Sequence, residues 1–197
     1  MIDQIKIDKN TLRKIFKEKR LKLTDSELQL SSTKICENFL HNLFPKIHNS
    51  KNIYSLYYPS QNEVDNKLIA QFFLKNNIEF CYPQITAKDK PLKFIKASKN
   101  SEFIASSLYP KTLEIKNGTE ITPNCIILPL LSFDKNKSRL GMGGGFFDRT
   151  IAQFYAQNIK ITTIAIAFDF QMLDTILPVD KYDQTIDYIV TENSTIL

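Results

Sequence analysis

Cys125-Ile126-Ile127-Leu128-Pro129-Leu130-Leu131-Ser132-Phe133-Asp134, a polar turn, and then Arg139-Leu140-Gly141-Met142-Gly143-Gly144-Gly145-Phe146-Phe147-Asp148-Arg149 is the stretch that decides the fold. Cys125 to Leu128 has the continuous apolar character of a strand buried on both faces. Beyond the glycines, Phe147, Ile151, Phe154 and Tyr155 mark a helix. The 197-residue chain has only 5 glycines, against roughly 14 at a usual share of ~7%. Four of them fall between positions 141 and 145, so backbone freedom is concentrated at one strand-to-helix turn.

Working outward, the same alternation recurs. Ile161 to Phe168 reads as another central strand and Tyr188 to Val190 as a short last one. Upstream, Ile53 to Tyr58 is rich in aromatic and branched residues and predicts a strand that Pro59 and Ser60 end. Val64, Leu68 and Phe72 recur every four residues and predict a helix reaching the Asn76-Asn77 turn. Ile78 to Tyr82 predicts a strand stopped by Pro83, and Leu92 to Ile95 another. Residues 9–43 read as two helices. Leu12, Ile15 and Phe16 face inward on the first, with Arg13, Lys17 and Arg20 on another face. Thr24-Asp25-Ser26-Glu27 is a capping box opening the second, which carries Leu28, Ile35, Phe39 and Leu43 inward. Residues 97–122 carry no dependable pattern, and none of them receives a role. The expected fold is α/β: a single three-layer α/β/α domain over residues 1–197, with a mostly parallel sheet and two N-terminal helices.

Bulk composition bounds the function. The hydrophobic share of 43% with 24% charged residues excludes wholesale disorder and a disulfide miniprotein. The excess of 26 Lys and Arg over 21 Asp and Glu, a net +5, favours acidic partners without choosing among them. The N-terminus has no basic segment followed by an apolar stretch, and the Cys125–Leu131 run is too short to span a membrane. Cys36, Cys81 and Cys125 are widely separated and read as reduced thiols in a cytosolic protein.

A glycine-rich turn between a buried strand and a helix lies at the carboxyl edge of the sheet, where open α/β folds bind ligands. It lets successive amides converge, and the helix adds its free amides and dipole. Phosphate is the natural guest. There is no Walker loop, and Phe146 stands where G-x-G-x-x-G needs its third glycine. A tight crossover is the rival explanation. Arg139 can neutralise phosphate oxygens and Asp148 can hold a magnesium ion, although an acid is also favoured in the first turn of a helix.

The stretch Arg139 to Asp148 resembles the R-L-G-x-G-x-G-[YF]-[YF]-D signature of the 5-formyltetrahydrofolate cyclo-ligase family. Lys9-Asn10-Thr11-Leu12-Arg13 resembles its N-terminal K-x-x-L-R, and Glu63-Val64-Asp65 its E-V-D element. Pro178 through Asp183, with Asp187, Thr191 and Glu192, resembles its closing segment. The resemblance implies closure of 5-formyltetrahydrofolate to 5,10-methenyltetrahydrofolate with ATP and Mg2+: ATP phosphorylates the formyl oxygen, N10 attacks and phosphate leaves.

It also implies roles. Lys9, Asn10, Thr11, Leu12 and Arg13 would bind ATP, with Lys9 and Arg13 on its phosphates. The turn Arg139, Leu140, Gly141, Met142, Gly143, Gly144, Gly145, Phe146 and Phe147 would cradle those phosphates. Arg139 would be catalytic, Asp148 and Asp183 the magnesium ligands, and Tyr58 and Glu63 the folate contacts. Ser60-Gln61-Asn62-Glu63 is independently a capping-box pattern. No nucleophilic side chain is required, in keeping with His41 and His48 lying away from every motif. Gly144 stands where many relatives have lysine, and Phe146-Phe147 where Tyr-Tyr is typical.

The implied partner is a small molecule, with no nucleic acid and no membrane, for a monomer in the cytoplasm. Two other readings stay open. A nucleic-acid-binding protein would use Arg13, Lys17, Arg20 and the lysines of residues 88–99, with steep salt dependence. A sugar-phosphate or coenzyme A enzyme would share the architecture, because fold does not fix function.

Overall fold

The computed structural model describes residues 8–196. Asp8 opens α1 (Lys9–Leu21) by accepting from the amides of Asn10 and Thr11, which the helix itself leaves free. Thr24 opens α2 (Asp25–Asn38) through the expected capping box with Glu27. The helix does not stop at Leu43: a π-helical turn, Phe39–Leu43, leads into α3 (Phe44–Ile47). Pro45, which has no amide to donate, sits where the π-helical turn hands over to α3.

In chain order follow β1 (Tyr54–Ser55), α4 (Lys67–Lys75), β2 (Phe80–Gln84), β3 (Lys93–Lys96), β4 (Phe103–Ala105), β5 (Leu113–Ile115), β6 (Cys125–Leu128), β7 (Ser132–Phe133), β8 (Arg139–Leu140), α5 (Phe146–Ala156), β9 (Thr162–Ile166), β10 (Tyr188–Val190) and β11 (Thr195–Ile196). Seven strands form one sheet in the order β11-β10-β9-β6-β1-β2-β3. The inner strands β10, β9, β6, β1 and β2 run parallel, and β3 and β11 close the two edges antiparallel. Two small antiparallel pairs, β4-β5 and β7-β8, stand outside this sheet.

Alternation along β6 shows the layers. Cys125 and Ile127 pack with Ile35 of α2 and Ile69 and Phe73 of α4. Ile126 and Leu128 pack with Ile151 and Phe154 of α5 on the other face. The mostly parallel, helix-covered sheet is therefore as expected, with both faces of its central strand buried. Cys36, Cys81 and Cys125 are free and buried; burial pushes the Cys36 thiol up to about 12, so it stays protonated at neutral pH.

Several expectations are corrected. Ile15 is exposed, while Leu12 and Phe16 join a cluster with Leu131, Leu140 and Leu177. Arg20 is not on a solvated face; it is buried. Val64 precedes α4, whose inward residues are Ile69 and Phe73. Pro83 does not stop β2, where it pairs opposite Phe94. Cys81 accepts from the Leu56 amide on the β1 side. Pro83, two residues on, faces that same side after β1 has ended, so it removes no ladder bond. The edge strand β11 and the β4-β5 pair went unread.

Candidate active site

The chain leaves β1 toward β2 on one side of the sheet, while β6 pairs with β1 on the other. The carboxyl ends of β1 and β6 thus flank a switch in strand order, the crevice where open α/β sheets take ligands. A cavity of about 1020 Å³ lies there, lined by Tyr57 and Tyr58 after β1 and by Pro129 and Leu130 after β6. The glycine turn, Lys9 and Arg13 of α1, residues 180–184 and the β4-β5 pair complete its walls.

Asp134 organises the approach to the glycine turn. Fully buried, its carboxylate accepts from the amides of Asn136, Ser138 and Leu177 at 2.9, 3.0 and 2.9 Å. Those bonds shape the β7-β8 turn and fasten to it the segment that leads to Asp180 and Asp183. Gly143 and Gly145 both adopt positive φ, +96° and +64°. Gly145 is the N-cap of α5 and supplies no side-chain bond, so the first amides of that helix remain available to an anion. Gly145→Ala is expected to cost about 1–2 kcal/mol, the penalty of a left-handed non-glycine residue. Urea unfolding checks this.

The turn is surrounded by cations. The Arg13 Nε donates to the Gly141 carbonyl at 3.1 Å, and its Nη1 to the Asn10 side chain at 2.8 Å. The Arg139 Nη2 donates to Asp148 Oδ1 at 2.6 Å, and the Gln184 amide reaches the same oxygen at 3.2 Å. The Arg149 Nη2 donates to the Gly144 carbonyl at 2.7 Å, and its guanidinium lies 5.0 Å over the Phe146 ring. The Nε atoms of Arg139 and Arg149 are buried without a partner among the described residues. Unspent donors beside a glycine turn fit the phosphates of a nucleotide.

Both carboxylates expected to hold magnesium line this cavity, and each pairs with a cation. Asp148 pairs with Arg139, and Asp183 with Lys9, which also reaches Asp180 at 2.6 Å. Burial works against the Lys9 charge, but the two carboxylates outweigh it and hold its pKa above the ordinary value. Among the described residues no cluster of three or more metal-binding side chains exists. Two carboxylates nonetheless suit Mg2+, which takes one or two from protein and the rest from phosphates and water.

Glu63 and Tyr58 also line the cavity. The capping-box pattern around Glu63 closes a turn instead of a helix. Gln61 and Asn62 have positive φ, and the Ser60 amide donates to Glu63 Oε2 at 3.0 Å. Arg20 Nη1 lies 3.7 Å from the other carboxylate oxygen, with Arg20 1% and Glu63 7% exposed. Burial pushes the Glu63 carboxyl up and the Arg20 guanidinium down, so desolvation of each outweighs their attraction.

An acid with a raised pKa binds its proton more tightly when folded. Glu63 therefore contributes a component of stability that falls as pH rises from its ordinary value through the raised one. The melting temperature of wild type is expected to fall relative to that of Glu63→Gln across that window; a constant difference would refute this. Tyr58 packs at a tilt on Tyr82 and edge-on against Phe103, centroids 4.7 and 4.8 Å away.

Of the expected site residues, Lys9, Arg13, Tyr58, Glu63, Asp183 and the whole run from Arg139 to Asp148 line the cavity. Asn10, Thr11 and Leu12 do not. Leu12 is in the core, the Thr11 hydroxyl donates to Asp8, and the Asn10 side chain braces Arg13. Unread in sequence were Arg149, although it directly follows the signature, and Ser106; Arg20 was read only as part of a basic helical face, and Glu114 was given no role.

The profile of the 5-formyltetrahydrofolate cyclo-ligase family matches residues 5–192. A 5-formyltetrahydrofolate cyclo-ligase of Mycoplasma genitalium is 33% identical over 93% of this chain and 98% of its own length. The 5,10-methenyltetrahydrofolate synthetase structure from Mycoplasma pneumoniae superposes with a TM-score of 0.74 at 28% identity, covering 95% of this chain and 100% of that one. That from Aquifex aeolicus gives 0.78 at 25% identity, covering 95% and 91%. The fold, the glycine turn and these matches agree: the chain belongs to the 5-formyltetrahydrofolate cyclo-ligase family.

Proposed function

We propose that this protein converts 5-formyltetrahydrofolate to 5,10-methenyltetrahydrofolate at the expense of ATP, which becomes ADP and phosphate. The observation carrying this reading is the cavity at the β1/β6 switch. It joins a glycine turn with unspent arginine donors to a wall holding Tyr58 and Glu63. Phosphoryl transfer to the formyl oxygen makes that carbon electrophilic, N10 attacks it, and the oxygen leaves as phosphate. Such chemistry asks the protein for positioning and charge stabilisation. Arg13, Arg139 and Lys9 hold the phosphates, while Tyr58 offers its ring face to the folate. Asp148 and Asp183 would hold Mg2+, whose charge would offset that of the phosphates.

The reading carries with it one functional domain over residues 1–197, acting as a cytoplasmic monomer. Burial of Arg20 removes one of the cations on which a nucleic-acid-binding face would depend. Among the described residues no helix is long and apolar enough to cross a membrane. Purified protein given 5-formyltetrahydrofolate and magnesium-ATP is expected to develop the absorbance of the methenyl product. Well-folded protein yielding none across pH and magnesium concentration would refute the proposal. Size-exclusion chromatography tests the monomer.

A further inference from the structure

The β4-β5 pair and the residues that flank it contribute Ser106, Thr112, Leu113 and Glu114 to the cavity wall. Ile104 pairs with Glu114 across the two strands, and the Ser106 amide bonds the Thr112 carbonyl. Strand alternation therefore sets Ser106, Thr112 and Glu114 on one face, and all three line the cavity. The Thr112 hydroxyl is spent on the Tyr109 carbonyl at 2.8 Å. The other two are not spent. Ser106 is 3% exposed and its Oγ has no partner among the described residues. Glu114 is 9% exposed, and its carboxylate takes part in no ion pair or hydrogen bond among the described residues. A buried hydroxyl without a partner is costly unless a ligand completes it, and the Glu114 carboxylate on the same face is free to share that ligand.

The chemistry of the pair selects what completes it. An ionised carboxylate only accepts, and with two oxygens it matches two parallel N–H donors. It repels phosphate and the glutamate tail of a folate, which are anionic. Glu63, the other glutamate of the cavity, already has Arg20 and the Ser60 amide. Glu114 is thus the uncommitted acceptor.

We infer that Glu114, assisted by Ser106, reads the donor edge of the substrate's pterin ring, the 2-amino group and the adjacent ring N–H. The inference rests on the proposed function, since it names how that same cavity recognises its folate. Glu114 is then a specificity-determining residue.

The test compares 5-formyltetrahydrofolate with its analogue lacking the 2-amino group, in wild type and Glu114→Gln, by equilibrium binding without ATP and by KM. Wild type is expected to prefer the parent compound by roughly 10–100-fold, as a lost hydrogen bond to a charged group implies. Glu114→Gln should reduce that preference to a few-fold and raise KM for the folate at least tenfold. KM for ATP should stay within twofold, which a merely structural role would not single out.

If wild type binds and turns over the parent compound but Glu114→Gln keeps its full preference, this inference is overturned and the proposed function stands. If wild type neither binds nor converts it, both fail. Should Glu114→Gln melt early, Ser106→Ala, which removes one atom, carries the test. Its preference is expected to fall about threefold or more, and an unchanged preference would overturn the inference.

Discussion

Arg139→Ala is expected to lower kcat for methenyl formation by roughly 10²–10³-fold, the usual effect of removing one preorganised donor from a developing anion. Arg139 leaves β8 against the glycine turn, its Nη1 3.2 Å from where a Cβ on Gly141 would stand. One of its nitrogens holds Asp148 and another, Nε, is buried and unspent. It is therefore fixed in place before any phosphate arrives, and no binding energy is lost in ordering it. The fold should survive, because Asp148 keeps the Gln184 amide and partial solvent access. Steady-state kinetics beside a circular dichroism spectrum checks both halves. Turnover near that of wild type would remove Arg139 from the assigned role. Arg139→Lys restores the charge without the planar fork and should recover only part of the rate.

The second large effect is on stability. Arg20→Ala is expected to destabilise the protein by about 3–5 kcal/mol, because it leaves Glu63 as an uncompensated buried charge. Arg20 also donates to the Gln61 carbonyl at 2.9 Å and the Leu130 carbonyl at 3.3 Å. It ties α1 to the segments that follow β1 and β6, the two strands flanking the cavity. The double variant Arg20→Met with Glu63→Gln removes both charges and should lose less than Arg20→Ala alone. Urea denaturation of the three proteins decides it. A cost below about 1 kcal/mol for Arg20→Ala would mean that the pair does not hold the turn.

Much of the architecture was legible because its signals are local. Cys125 to Leu128 reads as a strand buried on both faces and is one. Thr24 and Glu27 are three residues apart and close their own capping box. Failures occurred where a distant element overrode a local pattern. Pro83 stays in β2 only because β1 ends early, and Val64 is buried without being helical. The Ser60 to Glu63 pattern was legible as a hydrogen-bonding unit, but the left-handed residues at its centre make it a turn.

By itself, the sequence determined an α/β sheet with a glycine turn between β6 and α5, flanked by Arg139 and Asp148. Periodicity and glycine content are properties of neighbouring residues, so they survive without knowledge of the fold. The tertiary structure alone decided which charges are buried and which face a ligand. Arg20 looked like one more surface cation until its partner carbonyl, 41 residues away at Gln61, closed over it. Glu114 received no role from its neighbours in the chain, yet it lines the cavity and forms no ion pair among the described residues. The free energy of a charged group is set by what surrounds it, and those surroundings are assembled from segments that lie far apart in the chain.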